Sequence, residues 1–91
     1  MSDRVERIEA RLRQALQPLE LDVRDDSHKH VGHAGVQDGR GHYHVRIVSS
    51  SFDGLASLAR HRAVYAALET MMITDIHALA IDARAPQETT P

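Results

Sequence analysis

Residues 19–49, LELDVRDDSHKHVGHAGVQDGRGHYHVRIVS, decide the fold because two alternating apolar stretches flank a long polar loop. The alternation of apolar and polar residues predicts half-buried strands over residues 19–24 and 42–49. Two strands that are neighbours in the sequence are expected to pair antiparallel. The residues predicted to face the core are Leu19, Leu21, Val23, Tyr43, Val45 and Ile47.

Apolar residues at helical spacing occur in the sequence both before and after this pair of strands, and they predict helices there. Before it, a helix is predicted to end near Gln17, since Pro18 cannot continue it. After it come a turn over residues 49–54, a short helical turn with Leu55 and Leu58, a helix over residues 60–72 and a third strand over residues 76–83. The apolar stripe of the first helix is Val5, Ile8, Leu12, Ala15 and Leu16, and that of the second is Val64, Tyr65, Leu68, Met71 and Met72.

The order α-β-β-α-α-β predicts an α+β two-layer sandwich with a three-stranded mixed sheet and helices on one face. A strand that is reached through helices is expected to lie parallel to its neighbour. This topology is that of type II KH-like domains. One domain is predicted over residues 1–85, followed by a disordered polar tail over residues 86–91.

Composition restricts the classes of function. The 91 residues carry a net charge of −2, which gives no overall basic field for nucleic acid or anionic lipid. There is no cysteine, so the chain can form no disulfide and supply no thiolate ligand. No apolar run approaches the ~20 residues of a membrane helix, and the charged N-terminal stretch predicts a cytoplasmic location. No nucleophile and base stand out as a catalytic set, which predicts a non-enzymatic protein.

Residues 25–43 hold four of the seven histidines and four of the five glycines. His30 and His33, with His28 beside them, could converge on one metal ion, because imidazole binds several transition metals. The alternative is a solvated polar loop. His77 begins the third strand and is predicted to share the core-facing side with Leu79 and Ile81. It is either a packed histidine or a ligand that meets a histidine of the loop.

Two further groups have two interpretations each. His42 and His44 flank Tyr43 and point to the outer face, either as an HxH metal pair or as the wet side of a strand. The cluster Arg60-His61-Arg62 lies at a helix start, where cations oppose the helix dipole. It could face an anion such as a phosphate, or form structural ion pairs with acidic residues of the fold. The acidic partners considered are Asp53 and Asp22.

Three motifs in order resemble the BolA family: V-S-x-x-F-x-G from position 48, R-H-R-x-V-Y from position 60 and I-H-A-L from position 76. The resemblance covers residues 4–86. It implies a type II KH-like fold and a partnership with a monothiol glutaredoxin in iron–sulfur cluster biogenesis, trafficking or iron signalling. In such a complex a [2Fe–2S] cluster is shared between the two proteins. The glutaredoxin supplies its cysteine and a glutathione thiolate, and the BolA-like chain supplies two side chains.

On this chain the implied ligands are His77 and a loop histidine, with His30 the first choice and His33 the second. The isolated chain is expected to hold no cluster and to be a monomer or a weak homodimer. The family also includes proteins described as DNA-binding transcriptional regulators of morphology and stress response. The contact candidates for DNA are Arg60, His61, Arg62 and Arg46.

Overall fold

Six helices and strands make up the part of the chain that the computed structural model describes, residues 3–27 and 40–88. They are α1 Asp3–Leu16, β1 Glu20–Asp25, β2 Gly41–Val48, α2 Ser57–Leu68, α3 Met71–Thr74 and β3 Ile76–Arg84. Two 3-10 turns, Ser50–Phe52 and Pro86–Glu88, complete these residues. No helix within the two described ranges is long and apolar enough to cross a membrane.

The strands form one three-stranded sheet in the order β1-β2-β3. β1 pairs antiparallel with β2, placing Leu21 opposite Ile47, and β2 pairs parallel with β3, placing Val45 opposite Ile81. The predicted mixed sheet and element order are therefore confirmed. One face of the sheet meets the helices in a core that includes Ile8, Leu12, Val23, Tyr43, Val45, Ile47, Phe52, Val64, Leu68, Met71 and Ile76.

The first helix ends as predicted, because Gln17 takes a positive φ of 48° just before Pro18. Its amide donates to the carbonyl of Arg13 at 3.1 Å. Two core-facing positions were predicted wrongly, one in the stripe of the first helix and one at the start of the first strand. Ala15 is exposed, and Leu19 is 70% exposed because it precedes β1 at the end of the sheet.

The helix predicted over residues 60–72 is two helices. Glu69 has a φ of 50°, which ends α2, and α3 then starts at Met71. Tyr65 lies on α2 beside the buried Val64 and is 40% exposed instead of packed in the core, so its predicted place in the stripe is wrong. The short helical turn predicted at Leu55 and Leu58 is wrong as well, since Leu58 already belongs to α2.

The tail is ordered further than predicted. Residues 86–88 form a 3-10 turn, and the Glu88 carboxylate accepts hydrogen bonds from the amide of Ala85 at 2.9 Å and from Arg60 at 2.6 and 2.7 Å. These bonds attach residues 86–88 to α2 and to the residue that follows β3. Residues 89–91 lie outside the described part.

Candidate metal-ligand site at the start of β3

A β-bulge at the start of β3 sets the direction of His77. Gly41 is opposite Ile76, but the next residue, His42, is opposite Ala78, so His77 is an extra residue in the ladder. Ile76 is 1% exposed in the core, whereas His77 is exposed. The prediction that His77 shares the core-facing side with Leu79 is therefore wrong, because the extra residue interrupts the alternation of faces.

His77 instead lies against His42, the first outward-facing residue of β2. The two ring centroids are 5.1 Å apart and the rings are tilted by 46°. His42 is partly buried and His77 is exposed. Two imidazoles thus lie side by side at the surface, next to Ser27, whose hydroxyl accepts a hydrogen bond from the His42 amide at 3.0 Å.

Arg40 completes this group. Its Nη2 atom lies 3.3 Å from Nδ1 of His77, and its Nη1 atom lies 3.5 Å from the carbonyl oxygen of Ile73. A guanidinium can only donate hydrogen bonds, so Nδ1 of His77 is the acceptor. In the neutral imidazole the ring proton is therefore assigned to Nε2.

A shallow cavity of about 280 Å³ lies beside His42. The small side chains of Ala78 and Ala80 on β3 leave this space open on the outer face of the sheet. Its full lining is Asp26, His42, Tyr43, Ala78, Leu79 and Ala80. Of the pair, His42 lines this cavity, although its Nε2 atom is buried, and His77 is exposed.

A buried carboxylate anchors the chain just before His77. Asp75 is 7% exposed and accepts a hydrogen bond from the Thr74 hydroxyl, from Nη2 of Arg7 at 2.7 Å and from Nε of Arg4 at 3.1 Å. The Thr74 bond, and then the two arginines, hold the pKa of Asp75 below its ordinary value of 3.8, against the opposing effect of burial. The Asp75 carbonyl also accepts from the amide of Gly41 at 2.9 Å. These bonds tie α1, β2 and β3 together beside the histidines.

The loop histidines chosen from the sequence, His28, His30 and His33, lie outside the described residues. Within residues 3–27 and 40–88, no group of three His, Cys, Asp or Glu side chains is arranged to hold a metal ion. His42 is a neighbour of His77 that the spacing of the histidines in the sequence did not indicate. A parallel register starting at Gly41 would have indicated it, because that register brings the first residues of β2 and β3 together.

The arginines proposed for nucleic acid are partly engaged within the chain. Arg60 makes a two-point ion pair with Glu88 and also donates to the carbonyls of Leu55 at 2.8 Å and Ala83 at 3.1 Å. Because of the Arg60 hydrogen bonds, and then the Ala85 amide, the pKa of Glu88 is lowered to about 2. A structural ion pair was one of the two interpretations, but the partner is Glu88, not Asp53 or Asp22.

The other basic candidates differ in exposure. Arg46 donates to Glu20 at 2.8 Å across the outer face of the sheet. Arg62 is exposed on α2, and His61 is partly buried. His44 lies on the outer face as predicted, opposite Arg24 on β1 and Ala80 on β3.

Comparisons with known proteins agree on one family. The family model described as BolA-like protein matches residues 12–88. Protein BOLA1, chloroplastic, of Arabidopsis thaliana is 38% identical over 91 residues, covering 97% of this chain and 57% of the relative. The DNA-binding transcriptional regulator BolA of Escherichia coli is 43% identical over 76 residues, covering 84% of this chain and 70% of the relative.

Among solved structures, the BolA domain of SufE1 from Arabidopsis thaliana superposes with a TM-score of 0.86 at 38% identity, covering 98% of this chain and 99% of that one. The chain spans little more than half the length of the plant BOLA1 protein. The match to the family model extends from the last five residues of α1 to the last described residue and includes all three strands. The chain belongs to the BolA family.

Proposed function

We propose that this protein is a non-enzymatic partner of a monothiol glutaredoxin and that the two share a [2Fe–2S] cluster. Its role would be in iron–sulfur cluster assembly, trafficking or iron regulation in the cytoplasm. The observation that carries the proposal is the surface pair of His77 and His42, whose ring centroids are 5.1 Å apart. The family resemblance supports it.

The donor set of the chain fits half of such a cluster. Two neutral imidazoles can replace two thiolates on one iron, as in Rieske-type centres, and this raises the reduction potential. The chain has no cysteine, so the thiolates must come from the glutaredoxin and its glutathione. His77 would be one ligand, and His42, His30 or His33 the second. When bound, the cluster would supply an electron-accepting and transferable iron–sulfur unit.

Arg40 competes with ligation of His77. A metal ion needs a ring nitrogen that carries no proton. Binding at Nδ1 takes the lone pair that faces Arg40, and binding at Nε2 moves the proton to Nδ1, where it meets the guanidinium donor at 3.3 Å. Either mode removes the Arg40 contact. Arg40 would therefore keep His77 in one tautomer until a partner arrives.

The test is co-expression with a monothiol glutaredoxin, followed by visible absorption and circular dichroism of the purified complex. His77→Ala is expected to abolish or shift the cluster bands, and His61→Ala, a histidine of α2, serves as the matched control. His42→Ala and the double variant His30→Ala/His33→Ala identify the second ligand. A cluster spectrum that is unchanged in His77→Ala would refute shared ligation.

Arg40→Ala tests the competing contact separately. Without the guanidinium donor, the complex is expected to retain its cluster longer during dilution. Equal retention in Arg40→Ala and wild type would contradict the role of Arg40 but not that of His77.

A second candidate function is DNA binding, because the Escherichia coli relative is named a DNA-binding transcriptional regulator. Arg62 is the exposed cation of the cluster, while Arg60 is held by Glu88. If the protein binds DNA here, fluorescence anisotropy should show weaker binding for Arg62→Ala and stronger binding for Glu88→Gln, which releases Arg60. Binding that vanishes between ~50 and ~200 mM salt would indicate charge attraction alone and would refute specific recognition.

A further inference from the structure

The two edges of the sheet differ in their protection against pairing with another strand. Along β1, four of the six residues are charged, and charged edges discourage a further strand. β3 has neither proline nor lysine, and its charged residues, Asp82 and Arg84, come only at its end. Within the described residues β3 pairs on one side only, with β2. The open edge of the sheet is therefore that of β3.

Backbone directions show which groups this edge offers. The carbonyl of Arg84 accepts from the amide of Ser49, on the β2 side. Since backbone groups alternate in direction along a strand, those of Leu79, Ile81 and Ala83 point away from β2. The Ala83 carbonyl is taken by Arg60 at 3.1 Å. The groups of Leu79 and Ile81 form the part of the edge that lies between this contact and the bulge at His77.

We propose that β3 of one molecule pairs antiparallel with β3 of a second copy, forming a weak symmetric dimer with a continuous six-stranded sheet. The regular, open stretch is residues 78–82, and its centre is Ala80. With Ala80 on the two-fold axis, Leu79 is opposite Ile81 of the second copy, and both are partly buried residues of the core-facing side. Ala78 is opposite Asp82 of the second copy, so no like charges meet.

The small area of the proposed β3–β3 interface limits the affinity of the dimer. Five residues on each chain make a small interface, which places the dimer among weak, transient associations. The proposal does not depend on the glutaredoxin partnership. A lysine introduced at position 78 and one introduced at position 80 should change the affinity of the dimer in opposite directions. The register places each of them opposite a different residue of the second copy.

Sedimentation equilibrium from ~10 µM to ~1 mM covers the affinities expected of so small a contact. Wild type is expected to self-associate reversibly. Ala80→Lys puts two lysines opposite each other and should weaken the dimer about two- to fivefold, while Ala78→Lys faces Asp82 and should strengthen it by a similar factor. Ala10→Lys, at an exposed position of α1, adds the same charge away from the edge and should have no effect.

Mixing variants tests the two-fold axis directly. Ala80→Lys mixed with Ala80→Glu should form a heterodimer about tenfold tighter than either homodimer, because opposite charges then meet at the axis. Circular dichroism verifies that each variant is folded. A wild type that is monomeric throughout the range would overturn the proposal. So would equal association of Ala80→Lys and wild type, or mixtures without preference.

Discussion

The Asp75 carboxylate offers the sharpest test of how the site is held. Asp75→Asn keeps the size of the side chain and its bond to Thr74 but removes the charge that faces Arg4 and Arg7. The Asp75 side chain is 11% exposed, whereas those of Arg4 and Arg7 are 33% and 48% exposed. Each charge-assisted bond would contribute about 1.5 kcal/mol if it were well buried. Partial exposure of the arginines lowers this to about 1 kcal/mol each.

We therefore expect Asp75→Asn to lower the free energy of unfolding by about 2 kcal/mol. For a domain of this size the loss corresponds to a fall in Tm of roughly 8–16 °C. Urea unfolding followed by far-UV circular dichroism measures the first quantity, and a thermal scan measures the second. Asp82→Asn is the matched control, because it removes the same charge from a pair with Arg84 whose aspartate side chain is 36% exposed. It should lower the free energy of unfolding clearly less than Asp75→Asn does, because solvent screens this exposed pair.

The pH dependence of the free energy of unfolding provides an independent test of the same interaction. The pKa of Asp75 is lowered in the folded state, mainly by the Thr74 hydroxyl and then by the two arginines. Its stabilising effect is therefore complete above the carboxyl pKa of the unfolded chain, about 3.9, and is lost as pH falls through the lower folded-state pKa. Wild type and Asp75→Asn should differ most above about pH 5, and the difference should shrink as pH falls through the folded-state pKa. Equal losses in Asp75→Asn and Asp82→Asn, or a gap independent of pH, would refute the reasoning.

Three further substitutions can be measured by the same urea unfolding. Gly41→Ala would bring a Cβ atom within 2.7 Å of the Tyr43 side chain, so it should cost about 1–3 kcal/mol. At Gly54 an added Cβ atom has free space, but the φ of 75° disfavours alanine, so Gly54→Ala should cost only about 1 kcal/mol. A larger loss for Gly54→Ala than for Gly41→Ala would show that the Tyr43 side chain moves aside. Ser49→Ala removes a buried hydroxyl that donates to the carbonyl of Leu16 at 2.6 Å, with an expected cost of about 1–3 kcal/mol. A cost under about 0.5 kcal/mol would mean that another donor replaces the hydroxyl.

The fold could be predicted because its main signals are periodic. Tyr43, Val45 and Ile47 alternate along β2, and all three are buried, with at most 3% of their surface exposed. Such an alternation predicts the buried face correctly even when the predicted ends of the strand are slightly wrong, because every second residue indicates the same face. The break at Glu69 could not be predicted in this way. It uses a positive φ at a residue other than glycine, without a proline or glycine to mark it.

The direction of His77 depends on a single residue of register. In a regular strand, His77 would fall in the same row as Leu79 and Ile81, which is the row that packs on the helices. One extra residue in β3 moves it to the side of His42, because a slip of one position exchanges the two faces of a strand. The motif I-H-A-L alone does not reveal this shift in register, since a β-bulge depends on how two strands pair. If the proposed shared cluster forms, His42 is a candidate for its second ligand, because the sheet itself places His42 beside His77.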